Sequence, residues 1–452
     1  MPSRDIALWQ AMSVMALLSA LLLALFAGLR PVIDADTAAY LMASNAADPW
    51  IQVKAPYYGW LIGSGLSFVP ALQLAVFWCA VAAISLQARR FGASRTACIS
   101  LAAAALFSTA FFTDTNVLIP ESLGLSGALF AVAGVTRAAG GERDSLAMTL
   151  VVSGSAMACI LRPIWLPMIV VLPLLFVVLR KRPAPIGFGF WVLVIAMMPA
   201  ILLSAVRYDK TGEFDVESFG GYQASGLVSL MLTPNLVERL RGDERATAQQ
   251  MLALRIAAQD GGLAIGIPRN SSGVRSFPST ALEYPDVLAR TYDDIKFRHR
   301  LLLRRPGESW PAFDARLLRT DLAVIRAAPL SYVEWLAGAS ARFAGHALVL
   351  NPLMLVAATL LVTTWLLPTG GPASSNAVPG DVKFLGAVTV AWLVAAGLLS
   401  ITASFPAGRY IDSASMFLPA LPLYFAARRL EQAMPLARLS SSVWPGGAGK
   451  RR

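Results

Sequence analysis

Ten apolar stretches punctuate the chain: Ile6–Leu29, Ala71–Ala88, Ala97–Phe112, Leu118–Val135, Ser145–Leu161, Pro163–Leu179, Ile186–Val206, Gly345–Leu367, Phe384–Thr402 and Ile411–Ala427. Each is near the roughly 20 residues that cross about 30 Å of hydrocarbon as a helix. The pattern predicts an all-α polytopic membrane protein of about ten spans. The first stretch follows Arg4 and is long for the apolar core of a signal peptide. It shows no small-residue cleavage site before Arg30-Pro31, so it reads as an uncleaved span.

Two connections are large. The first, 30–70, is poor in charge and carries Trp50, Tyr57, Tyr58 and Trp60. The second, 207–344, is long and charged; Pro234–Ala258 and Pro311–Arg342 have helical periodicity, and Gly261–Ser279 reads as an irregular loop. Short helices on the membrane surface are expected there. The chain thus divides into an N-terminal membrane module (1–206), a large helical loop (207–344) and a C-terminal membrane module with its tail (345–452).

Charge orients these spans. One set of short connections carries Arg4, Arg89, Arg90, Arg95, Arg137, Arg143, Arg180, Lys181, Arg182, Lys383, Arg428 and Arg429, as well as the terminal Lys450-Arg451-Arg452. The other set carries only Arg30, Lys54, Arg162 and Arg409. By the positive-inside rule the first set and both termini are cytoplasmic, and the large loops face outward. A bacterial inner membrane with a periplasmic working face follows as the expectation.

Composition agrees with lipid as the solvent: 56% of residues are hydrophobic and 14% charged, against about 25% charged in soluble domains. The net charge of +11 lies in topology-setting loops, which argues against a nucleic-acid partner. Cys79, Cys98 and Cys159 all fall inside apolar runs, with no disulfide or metal spacing. His299 and His346 are too far apart in sequence for a helical zinc motif.

Ionisable groups at the outer ends of spans are costly to keep dry and are functional candidates. Asp34 and Asp36 stand two residues apart after the first span, with Tyr40 beyond them. They suit a cation site, or a base with its orienting partner, or a turn capping the helix that begins at Ala38. Asp114 and Glu121 bracket the start of the fourth span, where a structural cap is an equal reading. Arg162-Pro163 and Arg409-Tyr410 place arginines against the charge rule, which favours an anionic partner; a phosphate matches the guanidinium fork, and snorkelling to lipid headgroups is the alternative. Arg207 and Arg342, at the ends of the large loop, are weaker candidates.

The order of these residues resembles the GT-C fold integral-membrane glycosyltransferases, which take a sugar from a polyprenyl-phosphate carrier on the outer membrane face. Asp34-Ala35-Asp36-Thr37-Ala38-Ala39-Tyr40 is similar to the Asp-x-Asp-Glu-x-x-Tyr motif of the aminoarabinose and protein-mannosyl branches, with Thr37 at the glutamate position. Thr113-Asp114 with Pro120-Glu121 looks like the family's second acidic loop, and Arg162-Pro163 like its Arg-Pro pair. Ile325, Pro329 and Tyr332 are spaced as in its Ile-x-x-x-Pro-x-x-Tyr stretch. A counterpart of the separate C-terminal soluble domain of some branches is not expected from these residues.

The resemblance implies Asp36 as the base, with Asp34 orienting it or holding a divalent metal ion, and Asp114 as a second acidic partner. It implies Arg162 and Arg409 on the leaving phosphate, with Tyr40, Glu121 and Tyr410 binding substrate. The acceptor is a lipid, glycan or protein, and inversion at the sugar is expected. Two other classes stay open: a transporter or flippase of lipid-linked sugar, and an O-antigen ligase- or polymerase-like enzyme. Span interiors nearly free of charge argue against a midplane transport site, and the ligase class would not require Asp34 and Asp36.

Overall fold

The computed structural model describes residues 6–26, 28, 30–52, 54, 56–65, 67–181, 185, 187–260, 287–366, 379–402 and 408–433. The stretch 261–279, Ser404-Phe405-Pro406, Arg4, Arg182 and the terminal basic residues lie outside them. Every regular element among the described residues is helical, and the one β contact is an isolated bridge between Val32 and Val117. The protein is an all-α, multi-pass membrane protein.

Among the described residues five helices are long and apolar enough to cross a bilayer: α1 (Ile6–Phe26), α4 (Val69–Phe91), α7 (Glu121–Ala139), α10 (Gly187–Thr211) and α18 (Pro379–Thr402). The bent pair α16 (Pro329–Gly345) and α17 (Pro352–Trp365) makes a sixth if it counts as one span. The other apolar stretches are shorter or broken. Ala97–Phe112 divides into α5 (Arg95–Leu106) and α6 (Thr109–Asp114), because Ser108 accepts the Phe111 N–H and starts a new helix. α8 (Ser145–Leu161) and α9 (Met168–Leu179) are separated by a 3₁₀ turn at Pro163–Trp165, where proline removes a helical donor. Ile411–Ala427 becomes α19 (Gly408–Ser415) and α20 (Ala420–Ala433).

α7 is the axis of the bundle: nearly its whole length is enclosed, by α4, α8 and α9. Its small residues are the reason. A Cβ added at Gly127 would lie 2.6 Å from the Ala158 nitrogen, and one at Gly154 would lie 2.4 Å from the Ala131 nitrogen. The Gly127/Ala131 and Gly154/Ala158 pairs thus let two backbones touch, the small-xxx-small packing that holds helices together without a hydrophobic driving force. α1, by contrast, turns Leu17, Leu21 and Leu25 outward, as a lipid-facing helix does.

Polar groups sort to the two ends of this axis. At the Ala139 end, Arg137 pairs with Asp144 and Glu142, Arg90 with Glu142, and Lys181 donates to the Phe91 carbonyl. Asp381 accepts the Ser94 N–H and the Tyr424 hydroxyl there, and Thr96 meets Glu431. These are the connections expected on the basic side. At the Glu121 end lie Asp36, Lys54, Arg162 and Arg409. The large loop forms α11 (Gly220–Met231), α12 (Pro234–Glu238), α13 (Gly242–Asp260), α14 (Val287–Leu302), α15 (Trp310–Ala327) and then α16. These helices do not lie singly on a surface; they pack on one another around Tyr222, Val228, Met251, Trp310, Phe313 and Leu317. Tyr332 and Trp335 of α16 donate to the Thr402 and Ile401 carbonyls at the end of α18, fastening the layer to the bundle.

Gly154→Leu is expected to lower the thermal midpoint in detergent and the yield of folded protein, overpacking in a tight core costing about 1–3 kcal/mol or more. Gly187→Leu, at a position where an added Cβ meets nothing within 4 Å, is the control expected to change neither.

Candidate functional site

Three segments distant in sequence build the Glu121 end. The chain leaves α1, and Val32 donates to the Asn116 carbonyl while Leu118 donates to the Val32 carbonyl, so 30–34 lies against 116–118. α2 (Ala35–Ser44) then begins with Asp34 as its N-cap, in a reciprocal capping box with Thr37. The Thr37 hydroxyl also donates 2.8 Å to the buried Leu118 carbonyl. Thr37 is therefore a joint between α2 and the turn before α7.

Past this joint Asp36 faces two cations, with Lys54 3.4 Å from Oδ1 and Arg409 3.3 Å from Oδ2. Arg409 lies 3.7 Å from Glu121, at the first turn of α7, and Arg162 is 2.7 Å from the same Glu121 oxygen. The Tyr410 hydroxyl accepts from Arg162 at 3.3 Å and from Arg409 at 3.4 Å. Arg162 and Glu121 are both buried, and a buried pair broken by loss of one partner costs about 3–5 kcal/mol. Lys54 is buried too, with its ammonium 5.1 Å from the Tyr40 ring and 4.8 Å from the Phe219 ring.

A cavity of about 300 Å³ opens beside this cluster, lined by Lys54, Arg162, Tyr410 and Glu217 with Phe219 and Gln223 from the large loop. Apolar Pro163, Ile164, Leu166 and Leu399 form its other wall. A second cavity of about 340 Å³ shares Pro163, Leu166 and Glu217 with it and runs along Ala200 and Ile201 of α10. Cations at one end and an apolar continuation toward the bundle surface suit an amphiphile with an anionic head.

Burial acts to raise the Asp36 carboxyl, but Lys54, Arg409 and Arg162 outweigh it and hold the group below its ordinary value. For Tyr410 burial also acts upward, and Arg162 and Arg409 reverse it. Asp114 moves the other way. Burial, with the Glu121 charge adding to it, pushes its carboxyl up to about 8, although Thr113 donates to Oδ1 at 3.0 Å. Oδ2 is buried and has no hydrogen-bond partner among the described residues. Gln73 holds the same turn, donating to the Asp114 and Val117 carbonyls while accepting from Tyr58.

Of the residues singled out in the sequence, Asp36, Glu121, Arg162, Arg409 and Tyr410 come together, with Asp114 buried close behind. Tyr40 stands behind Lys54 and out of the cavity lining, its buried phenol pushed up to about 12. Asp34 turns away to cap α2. Because both Asp36 oxygens face cations, Asp34 and Asp36 form no two-carboxylate cradle for a metal ion. Among the described residues no group of three His, Cys, Asp or Glu side chains gathers for one. Arg207 is structural, bonded to Asp215 and Ser218. Lys54 is the residue the sequence reading passed over, though it broke the charge rule as Arg162 and Arg409 did. Phe219 and Gln223 carry no such signal, since only the docking of the large loop brings them to the cavity.

In comparisons with known proteins, no family model, characterised protein or solved structure matched the chain.

The Asp114 carboxyl gives a measurable linkage. Between its ordinary 3.8 and about 8 the folded chain keeps a proton that the unfolded chain has released. Stability therefore falls as pH rises through that window and levels above it. Asp114→Asn removes this dependence: its thermal midpoint is expected to exceed that of the unaltered protein above about pH 8 and the gap to narrow toward about pH 5. A gap that stays constant with pH would assign the effect to packing.

Proposed function

We propose that the chain is a membrane glycosyltransferase that moves a sugar from a polyprenyl-phosphate donor to an acceptor hydroxyl. The observation that carries this reading is the meeting of Asp36, Lys54, Arg162, Arg409 and Tyr410 beside a cavity that Lys54, Arg162 and Tyr410 line and whose far wall is apolar. In this reading the ten apolar stretches are ten spans in a bacterial inner membrane, both termini are cytoplasmic and the site is periplasmic. The gathering of the basic connections at the opposite end supports that orientation. The resemblance to the GT-C glycosyltransferases, carried by Asp34-x-Asp36, Asp114, Glu121 and Arg162-Pro163, supports the reaction class.

The chemistry is a single displacement. The acceptor oxygen attacks the anomeric carbon and its proton passes to Asp36; the bond from that carbon to the phosphate oxygen breaks, and the electron pair leaves with the polyprenyl phosphate. Arg162, Arg409 and Lys54 stabilise the charge that collects on the phosphate, and the low polarity of the cavity strengthens their effect. The sugar carbon is inverted. The prenyl chain follows Pro163, Leu166 and Ala200 outward, and Phe219 and Gln223 wall the acceptor side.

Asp36→Asn is expected to lower the rate of sugar transfer from a polyprenyl-phosphate donor by about 10²–10⁴, the usual contribution of a general base, while the protein still folds and inserts. Full transfer by that variant removes Asp36 from the role. Arg162→Ala and Arg409→Ala are expected to weaken donor binding, and unchanged affinity in both would dispose of the phosphate clamp.

A further inference from the structure

The cluster is already neutralised from within. Lys54 and Arg409 each face one oxygen of Asp36, at 3.4 and 3.3 Å, whereas Arg162 is held more closely by Glu121 at 2.7 Å. Lys54 lines the cavity, whereas Asp36 and Arg409, paired with each other, stand outside its lining. An anion in the cavity that pairs with Lys54 meets an ammonium already in contact with Asp36. It gains the full attraction of Lys54, a compact charge on a flexible stem, only by drawing the ammonium from Asp36. It engages the guanidinium of Arg409 only if that group turns toward the cavity and loosens its contact with Asp36.

We propose that Asp36 and the donor phosphate compete for Lys54 and Arg409, so that donor binding itself frees Asp36 to act as the base. The idea rests on the transferase reading above and adds an order of events to it. With the cavity empty, two cations mask the carboxylate and make it a poor proton acceptor. Once the phosphate takes them, the carboxylate is relieved of its partners beside a newly bound anion, and its proton affinity rises just when the anomeric carbon is in place. An acceptor hydroxyl, or a water molecule, meets an active base only in the donor complex. Glu121, Glu217, Arg162 and Tyr410 also bear on the pair, Glu217 lining the cavity beside Lys54, and the tighter Arg162–Glu121 contact makes Arg162 the fixed anchor while Lys54 and Arg409 exchange partners.

The competition has a consequence opposite to that of a simple binding residue: removing the carboxylate tightens the phosphate. Farnesyl methyl phosphate, a diester that carries one negative charge and no sugar to transfer, is the probe, and its affinity is measured by calorimetry on the full chain in nanodiscs. Asp36→Asn is expected to bind it about tenfold more tightly, one decade being about 1.4 kcal/mol. Lys54→Gln is expected to weaken it, and the double variant to lose most of the gain. In the unaltered protein, binding near about pH 5, where Asp114 already holds its proton, is expected to draw protons from the buffer, read from buffers of differing ionisation enthalpy. Unchanged or weaker binding by Asp36→Asn overturns the competition, as does binding by the unaltered protein without proton uptake. The two readings fail separately. Transfer that survives Asp36→Asn defeats the base assignment, whereas lost transfer without tighter binding defeats only the exchange.

Discussion

A charge cannot be left dry and alone at the end of a membrane bundle, and the arrangement of this protein follows from how that demand is met. Arg162 and Glu121 are buried together, Arg409 reaches both Glu121 and Asp36, and Lys54 closes the chain of contacts on Asp36. Each partner comes from a different stretch of sequence, so the electrostatics can be satisfied only if α2, α7, the turn after α8 and α19 all end at one place. The close Gly127–Gly154 contact between α7 and α8, and the Val32–Val117 bridge with Thr37 beneath it, are the packing devices that bring those ends into register.

The same demand separates the two carboxylates near the site. Asp36 has cations on both oxygens and stays ionised, whereas Asp114 has a single threonine hydroxyl and a neighbouring glutamate and is pushed toward its neutral form. Two environments a few residues from one another in space thus assign opposite proton affinities to the same functional group. Such divergence is the pattern of acid–base sites, and it is the ground on which the proposed transferase reading gives Asp36 the role of base and Asp114 that of a proton-holding neighbour.

Much of this was legible in the order of residues. Runs of apolar residues located the helices, and the scarcity of basic residues on one set of loops made Arg162 and Arg409 conspicuous. Helix breaks were less legible: Ser108, Pro163 and the Gly408–Ser415 segment interrupt stretches that composition alone reads as continuous. Asp34 and Asp36 look equivalent in sequence, yet the first, extended at the N-cap, turns to cap the helix, and the second, inside its first turn, faces the cations. Lys54 was visible by the same charge rule as the two arginines. Phe219 and Gln223 were not, because their place depends on Asp314 of α15 accepting the Tyr222 N–H at 2.7 Å and holding the first turn of α11 against the cavity.

The central claim is convergence on a phosphate. Its most direct test is an experimental structure of the chain in nanodiscs with a bound polyprenyl phosphate. The phosphate is expected within hydrogen-bond distance of Arg162 and at least one of Lys54 and Arg409, with the prenyl chain running past Pro163 and Leu166. A phosphate bound elsewhere, or these cations dispersed onto separate faces of the bundle, would contradict it.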